Sequence, residues 1–182
     1  MARITLAVTG SISAYKAADL TSQLGKLGHS VTVLMTTAAT HFITPLTFQS
    51  LSKNLVHTDV MTEENPTSIK HIDLAKQTDL FLVAPASAQT IAKLAHGFAD
   101  NIVTAVALAL PATIPKLIAP AMNTNMYLNP ATQQNLEQLQ NYGFQVIPPR
   151  EALLACGDIG IGALTDIHLI LEKVSKTLHE TN

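Results

Sequence analysis

The sequence predicts an α/β fold, a Rossmann-like (flavodoxin-like) doubly wound parallel sheet in a three-layer α/β/α arrangement, formed as a single domain over residues 1–182. Three observations predict it. Short apolar runs are continuous rather than alternating, as in strands covered on both faces. Segments of helical recurrence separate those runs. Four loops rich in Gly, Ser, Thr and Asn each begin at an expected strand end, where a doubly wound sheet binds its ligands.

Residues 4–9 are the first apolar run and stop at Gly10. Residues 13–27 set Ala14, Ala17, Ala18, Leu20, Leu24 and Leu27 at helical spacing, with Gly28 as a C-terminal stop. A second strand is expected at 31–35. Residues 38–51 are expected to be helical, interrupted at Pro45. The pattern weakens over 53–68, where Glu63-Glu64-Asn65-Pro66 marks a loop. A short helix at 69–76 leads to a third strand at 80–84, ending at Pro85. Helices follow at 87–94 and 100–110, then a fourth strand at 116–119, ending at Pro120. Residues 124–142 are largely helical with a break at Asn129-Pro130. Residues 144–147 form a fifth strand, stopped by Pro148-Pro149, and 166–179 form a final amphipathic helix.

The totals bound the function. Hydrophobic residues make up 47% of the 182 and charged residues 13%, which suits a buried core and argues against disorder. So little charge leaves apolar surface for contacts between subunits. The net charge of −2, without a Lys/Arg cluster, gives no support for nucleic-acid binding. The single cysteine, Cys156, excludes an intrachain disulfide and fits a reducing compartment. No apolar run reaches the length of a membrane span, and the N-terminal run is too short for a signal-peptide core. A cytoplasmic protein without membrane partners and without a metal site is expected.

Gly10-Ser11-Ile12-Ser13 joins the first strand to the first helix. A tight turn, two hydroxyls and a helix N-terminus suit a phosphate. Ser is equally common as a plain helix cap. Ser87 and Thr90 flank the start of another helix, with the same two readings. Neither G-x-G-x-x-G nor G-x-x-x-x-G-K-[ST] occurs at the first turn, so a mononucleotide such as FMN fits better than NAD or ATP.

Four segments occur together and in order: G-S-I-S-A from Gly10, P-A-S-A-Q-T from Pro85, P-A-M-N-T-N-M from Pro120 and L-A-C-G-D-I-G-I-G from Leu154. In these the chain resembles the homo-oligomeric flavin-containing cysteine decarboxylases, over nearly its whole length. The third and fourth segments are the most specific. The resemblance implies FMN as cofactor, with Gly10, Ser11, Ile12, Thr36, Thr37, Ala38, Ser87, Ala88, Gln89, Thr90 and Ala121 around it and Phe42 near it. The family often has Asn where this chain has Gln89, which bears on one contact. The implied reaction converts 4′-phosphopantothenoylcysteine to 4′-phosphopantetheine and CO₂ in coenzyme A synthesis.

The same resemblance assigns the chemistry. His71 matches the active-site base, and imidazole titrates near neutral pH; a lone His is otherwise most often a surface or core residue. Asn123 matches the residue that holds the substrate carboxylate, where an amide donates without adding charge; otherwise it is a turn Asn. Met122 and Met126 read as core packing. Cys156 matches the acid that protonates an enethiol; otherwise it is a small buried hydrophobe. Gly157, Gly160 and Gly162 place it in a flexible loop, and the resemblance makes that loop a clamp in which Leu153, Leu154 and Ala155 contact substrate.

Three rivals share parts of this pattern. A peptidyl-cysteine decarboxylase of the lantibiotic type would use the same FMN, His71 and Asn123, but Leu154-Ala155-Cys156-Gly157-Asp158 favours the pantothenoyl substrate. A flavin prenyltransferase would lack the third and fourth segments. A non-catalytic flavoprotein binding subunit would not need His71, Asn123 and Cys156 together. The expected partners are a small-molecule substrate, further copies of the chain in a homo-trimer or dodecamer, and a separate phosphopantothenate–cysteine ligase, since the sequence stops at Asn182.

Overall fold

The computed structural model describes residues 1–63 and 66–180. Glu64 and Asn65 of the expected loop and the terminal Asn182 lie outside them. The elements run β1 (Arg3–Val8), α1 (Ala14–Lys26), β2 (Ser30–Met35), α2 (Thr37–Thr40), α3 (Pro45–Ser52), β3 (Val56–His57), α4 (Lys70–Lys76), β4 (Leu80–Ala86), α5 (Ala88–Ala95), α6 (Ile102–Ala109), β5 (Lys116–Pro120), α7 (Thr124–Leu128), α8 (Pro130–Asn141), β6 (Phe144–Val146), β7 (Arg150–Leu153), β8 (Ile159–Ala163) and α9 (Ile167–Glu180).

Six strands form a parallel sheet in the order β3-β2-β1-β4-β5-β6. Connections run outward in opposite directions from β1 and β4, so a crevice opens between their carboxyl ends. Side chains leave the central strands alternately. Ile4, Leu6, Leu80 and Leu82 join Leu20, Leu24, Phe48 and Val174 on the α1, α3 and α9 side. Ala7, Phe81 and Val83 join Ile91, Val103 and Leu136 on the α5, α6 and α8 side. Both faces are covered, which is why the strands read as unbroken apolar runs. Among the described residues no helix is long and apolar enough to cross a membrane.

The interruption expected at Pro45 is present: α2 ends at Thr40, and Pro45 opens α3 in its first turn, where its missing N–H costs nothing. The differences from the sequence reading have local causes. The third expected strand does not end at Pro85 but continues to Ala86. The pairing of β4 with β5 shifts register between Val83 and Ala86, so the proline falls in an irregularity of the ladder. The two-residue strand β3 is too short to show in sequence. The expected break at Asn129-Pro130 is present: Asn129 accepts the Ala131 N–H at 3.0 Å and Pro130 starts α8.

The loop around Cys156 is a β-hairpin, not an unstructured glycine loop. β7 and β8 pair antiparallel as a separate two-stranded sheet, with Ala152 opposite Gly160 and Leu153 opposite Ile159. Its tip, residues 154–158, is closed by Leu154 N–H to the Asp158 carbonyl at 2.8 Å and Gly157 N–H to the Leu154 carbonyl at 2.9 Å.

Candidate functional site

Thr9 holds together the two turns that open the crevice. It is fully buried at the end of β1. Its hydroxyl donates to the Pro85 carbonyl at 2.7 Å and accepts the Ser87 N–H at 2.8 Å, while its own N–H reaches the same carbonyl at 3.3 Å. The Gly10–Ser13 turn and the Ser87 turn are thereby fixed side by side. Sequence reading counted Thr9 as the last residue of a strand and missed this role.

The two Ser-bearing turns differ. Ser87 is a cap: its hydroxyl accepts the Thr90 N–H at 3.3 Å at the start of α5. Ser13 precedes α1 but makes no side-chain capping bond, so its hydroxyl remains available to a ligand. Ser11 donates to the Ala121 carbonyl at 3.4 Å and accepts the Ser13 N–H at 3.2 Å. That bond ties the first turn to the segment after β5.

A cavity of about 610 Å³ lies over these turns, in the size range of small-molecule sites. Gly10, Ser11, Ile12, Ser87, Ala88 and Ala121 line it from the sheet side. Asn123, Leu153, Leu154, Ala155 and Cys156 line it from the hairpin side. Phe42 and Met126 complete the wall; each is 50% exposed, so Met126 is not a core residue. Met122 lines the cavity while packing against the α5–α8 core. Sequence reading also passed over Tyr15, Lys16, Ala152 and Arg150, which line it too. Lys16 and Arg150 are the charged groups among the described lining residues. Arg150 Nε lies 3.1 Å from Asp166 Oδ1, an ion pair without hydrogen-bond alignment.

Other expected contacts lie behind this wall. Thr36 caps α2, accepting the Ala39 N–H at 3.2 Å. Thr37 and Ala38 follow in α2, and a Cβ on Gly10 would sit 2.6 Å from that of Ala38, so only glycine permits this approach. Thr90 is buried and Gln89 exposed. None of these five lines the cavity.

Asn123 caps α7, accepting the Asn125 N–H at 2.8 Å, and its amide donates to the Cys156 sulfur at 3.4 Å. Cys156, an exposed free thiol, in turn donates to Asp158 Oδ2 at 3.4 Å. His71 is elsewhere. It is the second residue of α4 and lines a different cavity with Met61, Glu63, Ala105 and Leu108, none of which borders the first. Its Nδ1 is buried and has no hydrogen-bond partner among the described residues.

The family described as Flavoprotein matches residues 1–179. The chain belongs to the flavoprotein family. A probable phosphopantothenoylcysteine decarboxylase of Streptococcus mutans serotype c is 61% identical to this flavoprotein over 176 residues, covering 97% of this chain and 98% of that one. The coenzyme A biosynthesis bifunctional protein CoaBC of Bacillus subtilis is 46% identical over 177 residues, 97% of this chain but 43% of that protein. This flavoprotein therefore spans less than half the length of its bifunctional relative. Among solved structures, a PPC decarboxylase with a cysteine-to-serine substitution, complexed with pantothenoylaminoethenethiol, superposes with a TM-score of 0.89 at 32% identity, covering 98% of both chains. The FMN binding protein AtHal3 superposes with a TM-score of 0.87 at 33% identity, covering 98% of this chain and 97% of that one. The three-layer fold is shared with both.

Proposed function

We propose that this flavoprotein is a carboxy-lyase that uses FMN to convert 4′-phosphopantothenoylcysteine to 4′-phosphopantetheine and CO₂ in coenzyme A synthesis. The observation that carries this reading is one cavity faced on one side by the hydroxyl-bearing turns and on the other by the Asn123–Cys156 pair. The names of its relatives support the same reaction.

The residues present fit FMN. Ser13 offers an uncommitted hydroxyl beside a helix N-terminus, which suits the phosphate. Ile12, Tyr15, Phe42 and Met126 offer apolar and aromatic surface to a flat ring. When bound there, FMN supplies two-electron redox chemistry, accepting electrons from the substrate thiol and returning them after CO₂ has left.

The chain's own groups hold and protonate the substrate. Asn123 donates to the carboxylate without a positive charge that would resist CO₂ loss. Oxidation of the substrate C–S unit to a thioaldehyde creates an electron sink. The C–CO₂ bonding pair moves into it as CO₂ departs, leaving an enethiol. Cys156 then gives a proton as hydride is returned, which completes 4′-phosphopantetheine. Leu153, Leu154 and Ala155 cover the substrate and exclude water.

His71 moves a proton before CO₂ loss and reaches the site from a second copy of the chain. Two exposed apolar surfaces support this. Met61 and Leu108 border the His71 cavity, while Ile12, Met126 and Leu153 line the substrate cavity. Joining one patch to the other is a head-to-tail contact, which makes a ring when its rotation closes. The proposed assembly is a trimer or a dodecamer built on it, in the cytoplasm, with a phosphopantothenate–cysteine ligase supplying the substrate.

The test is incubation of the FMN-loaded protein with 4′-phosphopantothenoylcysteine and, separately, with a cysteine-ending peptide, measuring CO₂. Release from the first alone is expected. Release from the peptide alone would transfer the protein to the peptidyl-cysteine class.

A further inference from the structure

Arg150 opens β7 on the wall of the substrate cavity. Arg150 and Ala152 are two residues apart, share one side of the strand and both line the cavity, while Glu151 between them is exposed and does not. Across the hairpin Arg150 is paired with Ala163, whose methyl group offers no counter-ion. Asp166 Oδ1 lies 3.1 Å from the Arg150 Nε, yet that N–H makes no hydrogen bond among the described residues. The described lining contains no carboxylate; Lys16 in α1 and Arg150 supply its charge. The base of the hairpin is also held in place. The Met122 N–H donates to the Gly162 carbonyl at 2.9 Å, next to the Arg150–Ala163 pair. Arg150 is thereby fixed relative to Asn123, the neighbour of Met122.

From this placement we infer that Arg150 binds the phosphate monoester at the far end of the substrate and so sets the preference for the phosphorylated over the unphosphorylated molecule. The inference rests on the proposed reaction, which puts the cysteinyl carboxylate at Asn123 and the reacting carbon at Cys156. Two lengths agree. From Arg150 to Leu154, where the tip begins, the chain rises by about 13 Å at about 3.3 Å per residue. About eleven bonds separate the phosphorus of 4′-phosphopantothenoylcysteine from its cysteinyl α-carbon, and an extended chain of that length also spans about 13 Å. A substrate lying along β7 with its carboxylate at the tip carries its phosphate to the base of the strand. A guanidinium suits that group, because it stays charged and its planar fork can hold two phosphate oxygens. Asp166 approaches at the Nε edge and orients the fork; no hydrogen bond among the described residues occupies the rest of it. The flavin phosphate is assigned to the other wall, at Ser13.

The experiment uses the FMN-loaded full chain, as the parent and as Arg150→Gln and Arg150→Lys. The probes are pantothenoylalanine and its 4′-phosphate, which keep the carboxylate and the length of the substrate but have no thiol to oxidise. Titration calorimetry reads the Kd of each, and dialysis reads the flavin-to-protein ratio. The parent is expected to bind the phosphorylated probe more tightly by about tenfold or more, the scale of a bond to a charged group. Arg150→Gln is expected to narrow that preference by about tenfold, wholly through the phosphorylated probe, with flavin retention unchanged. Arg150→Lys, which keeps the charge but not the fork, is expected to fall between the two. Equal weakening of both probes would make Arg150 a structural partner of Asp166 and overturn the inference. So would a parent-like preference in Arg150→Gln, or a parent with no preference. Loss of flavin would assign Arg150 to the cofactor phosphate instead and overturn it too. If Arg150→Gln fails to fold, Arg150→Lys decides, and a parent-like preference there counts against the inference. Should the parent release no CO₂ from 4′-phosphopantothenoylcysteine, the proposed function fails, while the two probes still decide whether Arg150 binds a phosphate.

Discussion

The Asn123 amide lies 3.4 Å from the Cys156 sulfur, although 33 positions separate them in the chain. One group is assigned to the substrate carboxylate and the other to the carbon left after CO₂ departs. Their closeness means that the substrate need not move between the two stages. Cys156→Ser should then continue to release CO₂ while the yield of 4′-phosphopantetheine drops by about two orders of magnitude, the usual contribution of a positioned acid. Parallel CO₂ and thiol assays on the same reaction check this, and unchanged thiol yield would remove the role.

Thr9→Val keeps the shape of a buried side chain but removes the bonds to Pro85 and Ser87. Leaving the Ser87 N–H and the Pro85 carbonyl with fewer partners should cost about 1–3 kcal/mol of stability. The first and second Ser-bearing turns should also separate, so flavin is retained less well. Denaturant unfolding and the flavin-to-protein ratio after dialysis measure the two effects. Wild-type flavin retention in a destabilised variant would show that the clamp at Thr9 matters to the fold alone.

His71 and Cys156 open onto different cavities of one chain. Protein carrying His71→Ala and protein carrying Cys156→Ser should each be impaired in making 4′-phosphopantetheine. After the two are unfolded and refolded together, mixed rings contain some sites with both intact residues. Recovered activity, against none for either variant treated alone, is the expected result. No recovery would mean that both residues serve from the same copy.

Lys16 is in the first turn of α1, which holds no acidic residue, so its charge faces the positive end of the helix. Among the described residues it forms no ion pair. A phosphate in the cavity would relieve this placement. Lys16→Ala should raise KM for the phosphorylated substrate by about tenfold, the effect of losing one charge-assisted bond, and leave KM for its dephosphorylated form unchanged. Equal changes for both substrates would exclude a phosphate contact, and loss of flavin would assign Lys16 to the cofactor.

The Arg3 guanidinium donates to Asp79 at 2.6 Å, and together with the Arg3 N–H it holds that carboxyl below its ordinary pKa. A depressed folded-state value stabilises the protein above the unfolded pKa, and that benefit is lost as pH falls through the folded one. Asp79→Asn should therefore flatten the loss of melting temperature on acidification to below pH 4. The change should be small and should shrink further in salt, because both side chains are more than one-third exposed. Catalysis near neutral pH should be unaffected.

Sequence reading located the main sheet well because β1, β2, β4 and β5 are covered on both faces, and continuous apolar runs are a local signal. β7 and β8 gave a weaker one. Ile159, Gly160, Ile161 and Gly162 do alternate, but glycine in place of polar residues made the alternation resemble a loop. Cys156, Asn123 and Leu154 were found through their motifs, and those motifs do converge on one cavity. The separation of His71 from them was not legible, since it depends on how α4 packs beside α6. Thr9 was equally hidden: a Thr at a strand end reads as an ordinary strand residue until the Pro85 carbonyl and the Ser87 amide are seen to meet it.

The hairpin stands apart from the six-stranded sheet, with its own two-stranded pairing and a short seam to the turn after β5. Its tip can thus be exchanged like a tool on a holder. Grafting the tip of a peptide-specific relative between Ala152 and Gly160 would alter which cysteine-ended molecule enters, while the scaffold that houses the redox centre is inherited unchanged. Diversification of substrate in this fold then requires rewriting a handful of residues rather than rebuilding a core.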